Sequence, residues 1–173
     1  MITIYTDGSS RGNPGPGGYA AVIFYEKSQN KEYRIKNNEW VTEIGGHEEH
    51  TTNNRMELRA AIEALKFVSK TQATLFTDSK YVMQGITEWI HNWQKKGWKT
   101  ANRKPVLNQD LWQKLLQVSG GKEIEWKYVE GHTGHVLNER ADEIATSFAD
   151  LPRASRGADS IKLYDGPRKK YDF

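Results

Sequence analysis

Apolar and polar residues alternate in ITIY at the start of the chain. Further on, Leu58, Ala61, Ile62, Leu65 and Val68 recur on one helical face. Between these two periods lie β-branched and aromatic runs, YAAVIFYE and EYRIKNNEWVTEI, so strands are predicted over residues 2–7, 19–26 and roughly 31–44 as an antiparallel meander. TTNNRMELRAAIEALKFVSK offers Thr and Asn as caps, and an amphipathic helix is predicted over 53–69. ATLFTDSK then reads as a buried strand ending at Asp78, returning parallel to a neighbour. A broken helical region over 79–118 is interrupted by Gly85, Gly97 and Pro105; EIEWKYVE is a fifth strand, and HVLNERADEIATSFAD a last helix stopped by Pro152. The order predicts an α/β fold: a mixed five-stranded sheet, three antiparallel strands and then parallel ones, flanked by helices.

Residues 5–18, YTDGSSRGNPGPGG, test for a phosphate cradle. They lack both the dinucleotide G-x-G-x-x-G spacing and a Gly-Lys-Ser/Thr ending, and Pro14 and Pro16 bring no N–H groups. A strand follows rather than a helix, so the stretch reads as a turn between antiparallel strands in which glycines supply unusual φ values.

Charge changes the picture only when divided. Residues 1–150 hold 19 basic and 19 acidic side chains, and the excess of +3 lies in residues 151–173. That tail is polar and basic, but IKLY alternates within it, and an ordered appendage against the body is expected. With no cysteine there is no disulfide or thiolate metal site, which fits a reducing compartment. No apolar run reaches membrane-spanning length and no charged-then-apolar leader precedes the first strand, so a soluble cytoplasmic protein without membrane contact is expected.

Asp7 and Asp78 end the first and fourth strands, which this topology can place side by side; Glu57 starts the first long helix, and Asp142 lies early in the last. Carboxylates converging in this way repel unless cations bind. An all-oxygen donor set suits Mg²⁺, or Mn²⁺ in its place. Two such ions a few ångströms apart can clamp a phosphodiester for in-line attack. Singly, each acid could equally serve as a turn cap or helix-dipole partner. His132, on the loop EGHTGHVLNE, can swing and titrate near neutrality, which suits proton transfer; His135 reads as structural. His47 and His50 are one residue short of a zincin spacing and read as a solvated hairpin end.

Four of the six tryptophans, Trp89, Trp93, Trp98 and Trp112, are interleaved with Lys95, Lys96, Lys99, Arg103 and Lys104. A small tryptophan core under a cationic face accounts for part of this pattern. Cations beside a phosphodiester site also favour a nucleic-acid partner.

Taken together, DGS, GNPGPGGYA, TTNNRMEL, TDSKYV, GITEWIHNW, KGWKT, DLW and GHTGHVLNERAD resemble type 1 ribonuclease H, the bacterial kind with a basic protrusion. The resemblance implies a ribonuclease H-like fold and a Mg²⁺-dependent endonuclease, with two ions per site, that cuts the RNA strand of RNA/DNA hybrids to leave 5′-phosphate and 3′-hydroxyl ends. It implies Asp7, Glu57, Asp78 and Asp142 as metal ligands and His132 as the mobile histidine. Asn13, Asn53, Asn54 and Gln84 match minor-groove contacts, and Thr52 and Asn92 a DNA-phosphate pocket. Trp93, Lys95, Lys96, Trp98 and Lys99 match the protrusion. The expected organisation is a catalytic domain over 1–150, with a protrusion at about 89–112 and a basic extension over 151–173, acting as a monomer. The extension has no counterpart in the pattern, the hairpin before Thr51 is longer than usual, and His50 stands where relatives often have a stronger cation. A DNA-acting nuclease or transposase of the same fold, or a hybrid-binding module of weak activity, are the alternatives.

Overall fold

The computed structural model describes residues 2–26, 39–68, 72–152 and 161–167. Strands β1 (Ile2–Ser10), β2 (Gly15–Glu26) and β3 (Glu39–Thr51) form the antiparallel meander, and helix α1 (Asn53–Phe67) returns the chain to β4 (Gln72–Thr77), parallel to β1. Helix α2 (Lys80–Gln84), a π-helical turn over 85–89, α3 (Ile90–Lys95) and α4 (Gln109–Ser119) lead to β5 (Glu123–Tyr128), which is parallel to β4. Helix α5 (Val136–Ala149) and β6 (Ile161–Pro167) follow, and the strand order is β5-β4-β1-β2-β3-β6.

Among the described residues the sheet therefore has six strands rather than five. The alternating segment in the tail pairs antiparallel with β3 and covers an edge whose backbone groups would otherwise be open. Asp165 pins it, accepting from the indole of Trp40, from Thr42 Oγ1 at 3.0 Å and from Lys162 Nζ at 3.0 Å. Strand boundaries also differ from the sequence expectation: β2 starts at Gly15, ahead of the expected residue 19. β1 runs past Asp7 to Ser10, and β3 runs past Ile44 to Thr51; the expected third-strand residues 31–38 lie outside the described residues. GSS and GGHEEHT are poor strand formers by composition. Their glycines allow close packing there: a Cβ on Gly8 would lie 2.2 Å from Glu57 N, one on Gly45 2.4 Å from the Phe148 ring, and one on Gly46 2.2 Å from the Tyr19 hydroxyl.

Period-two alternation divides the core between the two faces of the sheet. Ile4 and Ile23 pack with Leu58, Ile62, Leu65, Leu75 and the fully buried Trp112 on the α1/α4 face. Tyr5, Val22 and Val41 pack with Ile144 and Phe148 of α5 on the other. Each fully buried aliphatic side chain contributes about 1.5–3 kcal/mol. Helix α1 starts at Thr52, whose extended backbone and hydroxyl, accepting from Arg55 N–H, form an N-cap. Helix α5 is clamped to β3 by Arg140, whose Nε and Nη2 donate to Glu43 Oε1 and Oε2 at 2.7 and 3.2 Å. No helix among the described residues is long and apolar enough to cross a membrane.

Candidate active site and nucleic-acid face

Thr6 of β1 is in parallel register with Thr77 of β4, so Asp7 and Asp78, one residue further along each chain, emerge side by side. Glu57 reaches them from α1 because Gly8, having no Cβ, lets that helix lie against β1. The three side chains each offer an oxygen, all within 4.8 Å of one another. Asp7 and Glu57 are buried, at 6 % and 5 % exposure. Burial pushes the Asp7 carboxyl well above its ordinary range. Asp78 and Asp142 raise it further by charge, and so does a hydrogen bond shared with Asp142, while the Gly8 amide opposes them. Glu57 is raised in the same way, by burial first and then by Asp7 and Asp78. Its Oε2 is buried and has no hydrogen-bond partner among the described residues. Two like charges about 5 Å apart at an effective dielectric of about 20 repel by roughly 3 kcal/mol, so the cluster is unfavourable unless a cation or a proton intervenes.

Asp142 lies on the second turn of α5, half-buried, near enough to raise the Asp7 carboxyl by its charge, and its Oδ1 accepts from Thr146 Oγ1 at 3.4 Å. Three of the four acids expected from the sequence thus meet at one edge of the sheet, and Asp142 lies beside Asp7, outside that close group. His132 follows on the loop between β5 and α5, 84 % exposed, with φ 56° and its Nδ1 3.9 Å from Asp142 Oδ2. Within the loop, Thr133 Oγ1 donates to Glu130 O and Gly134 N–H to Glu139 Oε1. His135 starts α5 with its Nε2 3.4 Å from the Tyr5 hydroxyl. His47 is not at a solvated hairpin end: it is 3 % exposed inside the extended β3, its Nδ1 2.8 Å from Phe148 O, while His50 is exposed near the end of that strand.

The opening glycine-rich stretch is a hairpin turn with Asp7 on one strand and the exposed Asn13 at its tip. Gly15 pairs with Thr51, which brings the turn beside the N-terminus of α1, where Thr52 caps the helix and Asn53 and Asn54 occupy its first turn. Gln84 is exposed at the end of α2, which begins two residues after Asp78, and Asn92 is exposed on α3. In the basic segment the indoles form a packed chain: Trp89–Trp93, Trp93–Trp98 and Trp93–Trp112 have ring centroids 5.7, 6.5 and 5.5 Å apart. Trp93 and Trp98 are half-buried, whereas Lys95, Lys96, Lys99, Arg103 and Lys104 face solvent. The tryptophans thus build the lobe, and the lysines form its outer surface.

Asn138 was not among the residues read from the sequence. It is 1 % exposed, and its Nδ2 donates to Asp78 Oδ2 at 3.1 Å. Only the amino side of the amide can face an ionised carboxylate, so Asn138 holds the Asp78 carboxylate by one of its oxygens. The signal was present: Asn138 falls on the buried stripe of α5 with Ala141, Ala145 and Phe148, where a polar amide needs a partner.

The RNase H family profile matches residues 1–150. A ribonuclease H of Caulobacter sp. (strain K31) is 52 % identical over 145 residues, 83 % of this chain and 86 % of that protein. Another, from Edwardsiella ictaluri (strain 93-146), is 50 % identical over 156 residues, 88 % of this chain and 92 % of that one. Among solved structures, LC9-RNase H1, described as a type 1 RNase H with the type 2 active-site motif, superposes with a TM-score of 0.75 at 30 % identity, covering 93 % of this chain and 76 % of that one. The mixed sheet and its carboxylate edge define a nuclease of the RNase H-like fold. The chain belongs to the RNase H family.

Proposed function

We infer that this chain is a ribonuclease H that hydrolyses the RNA strand of RNA/DNA hybrids, leaving 5′-phosphate and 3′-hydroxyl ends. The observation that carries the reading is the buried Asp7–Glu57–Asp78 cluster, with two carboxyls raised and Glu57 Oε2 unpaired among the described residues. Such a donor set fits hard divalent cations, in keeping with the metal dependence of the family. Asp7, Glu57, Asp78 and Asp142 would hold Mg²⁺, two ions per site, with Mn²⁺ as a substitute. When bound, the metal supplies Lewis-acid stabilisation of the reacting phosphate and a more acidic water.

The protein's own groups do the rest. Asp7 and Glu57 provide charge that burial has already stripped of water, Asn138 fixes the Asp78 carboxylate, and His132 carries a proton at its imidazole from a loop free to approach the reacting oxygens. Asn13, Asn53, Asn54 and Gln84 contact the minor groove, where amides can both donate to and accept from 2′-hydroxyls. Thr52 and Asn92 take a DNA phosphate, and Lys95, Lys96 and Lys99, backed by Trp93 and Trp98, neutralise the DNA strand further along. Residues 1–150 act as the catalytic domain and 151–173 as an extension of it. The protein works as a monomer, in the cytoplasm that a cysteine-free chain suits.

Matched RNA/DNA, DNA/DNA and RNA/RNA duplexes, each with Mg²⁺ and with EDTA, test the reading. Cleavage confined to the RNA of the hybrid and lost in EDTA is expected; cleavage of a DNA strand, or activity that persists in EDTA, contradicts it.

A further inference from the structure

Arg11 sits in the turn that presents Asn13, and none of the roles above uses it. The turn fixes its own shape. Arg11 N–H donates to Pro16 O at 2.7 Å, Ser10 Oγ donates to Gly12 O at 2.8 Å, and Gly12 takes φ 100°. Those bonds are internal and do not set the tilt of the tip relative to the carboxylate edge. Among the described residues, one side chain of the turn bonds to another element. Arg11 Nε and Nη2 donate to Oδ1 and Oδ2 of Asp150, at 2.5 and 2.7 Å, at the C-terminal end of α5. A two-pronged guanidinium–carboxylate pair fixes direction as well as distance. Helix α5 is also the helix that carries Asp142, and it already touches the start of β2 through Gly18.

We propose that the Arg11–Asp150 pair is a brace that orients the Asn13 turn against α5, making Arg11 a positioning residue for engagement of the RNA strand rather than a contact to it. The proposal rests on the reading of Asn13 as a hybrid contact. In the free protein the side-on edge of the Arg11 guanidinium, Nε and Nη2, is already engaged by a carboxylate of α5's C-terminal end. Asp150 is thus its partner and not a bystander. Were Arg11 instead a phosphate ligand, Asp150 would compete with the substrate for it. Removing Asp150 would then tighten binding, whereas a brace loses its function from either end.

Arg11→Ala, Asp150→Ala, the double variant and Asn13→Ala are compared by steady-state cleavage of an RNA/DNA hybrid at fixed low ionic strength, and by hydrogen exchange of the turn amides in the free protein. Each single brace variant should raise KM about three- to fivefold, the range of a well-formed exposed pair, with kcat within about twofold. The double variant should be no worse than either single, and the Arg11 amide should exchange faster in all three. A raised KM in Arg11→Ala with an unchanged or lowered KM in Asp150→Ala overturns the brace in favour of a direct phosphate contact. Unchanged exchange in both singles overturns it outright. Asn13→Ala separates the two readings: an unchanged KM there, with faster exchange in the brace variants, removes Asn13 as a hybrid contact while the mechanical link stands.

Discussion

Glu43 and Glu57 are 1 % and 5 % exposed, both buried where a helix packs on the sheet, Glu43 reaching from β3 to α5 and Glu57 from α1 to the sheet edge, yet their surroundings are opposite. On the α5 face, Glu43 receives two hydrogen bonds from Arg140, which also bridges to Glu143. At the carboxylate edge, Glu57 meets Asp7 and Asp78, and one of its oxygens lacks a hydrogen-bond partner among the described residues. The first arrangement joins β3 to α5: charge is buried with its counter-charge, and removing one partner leaves the other stranded. The second raises the carboxyls instead of satisfying them, and the fold tolerates it because the surrounding packing holds the acids in place. One buried glutamate is satisfied within the fold, and the other carries a charge that the proposed cation would satisfy.

The largest effect that bears on this contrast is on cleavage. Asp7→Asn keeps the size and removes the charge, and should lower kcat by at least about 100-fold, since metal-held charge supplies several kcal/mol in the transition state. Steady-state cleavage of the hybrid checks it, and near-normal turnover would break the comparison at once. Next in size, Glu43→Gln should destabilise the protein by about 2 kcal/mol, the lower side of the range for breaking a buried pair because Arg140 is a third exposed. Urea unfolding should show the same loss with and without Mg²⁺, because this pair has nothing to do with the metal. Truncation after Pro152 removes β6 and should lower Tm on the order of 5 °C while leaving hybrid affinity at low salt unchanged; lost affinity without lost stability would make the extension an electrostatic arm. The smallest effect is that of Asn138→Ala, about 1.5 kcal/mol for one hydrogen bond to a charged group, read as roughly tenfold weaker Mg²⁺ binding by calorimetry without substrate.

The pH dependence sharpens the same contrast. Asp7 and Glu57 have folded-state values raised above their unfolded ones. They therefore favour the folded state most below about pH 4, where both states are protonated, and that contribution fades as pH rises through the raised values. The carboxyl of Asp110 is held low by Arg55, and that of Asp150 by Arg11, so the stability they add is lost in the opposite direction, as pH falls. Metal-free protein should therefore lose stability as pH rises above about 5, a trend that Asp7→Asn weakens and Mg²⁺ suppresses.

Much of this site was legible in the sequence because its logic is topological. A strand returning parallel beside β1 was enough to bring Asp7 and Asp78 together, and helical spacing placed Glu57 and Asp142 on the elements next to them. What stayed hidden depends on partners far apart in the chain. IKLY alternates, but nothing local says that its partner is β3, more than a hundred residues earlier. Glu43 and Arg140 are ordinary surface-type residues until β3 and α5 meet. GGHEEH reads as a turn and His47 as solvated; in the fold the Phe148 and Tyr19 rings pack directly on Gly45 and Gly46, where a Cβ would clash with them, and the stretch is extended and covered. The interleaved tryptophans of the basic segment imply a small packed core, and the ring contacts give it its geometry.

Thermal melts of Glu57→Gln and Glu43→Gln, each in EDTA and in saturating Mg²⁺ at low ionic strength near pH 8, test the contrast most directly. Without metal, Glu57→Gln should melt above the unaltered protein, by about 1 kcal/mol once solvent reduces the repulsion, and in Mg²⁺ that advantage should vanish as the cation stabilises the unaltered site by mass action. Glu43→Gln should melt lower in both. If Glu57→Gln melts at or below the unaltered protein in EDTA, the carboxylate edge carries no stored repulsion, and the claim that it is built for a cation is contradicted.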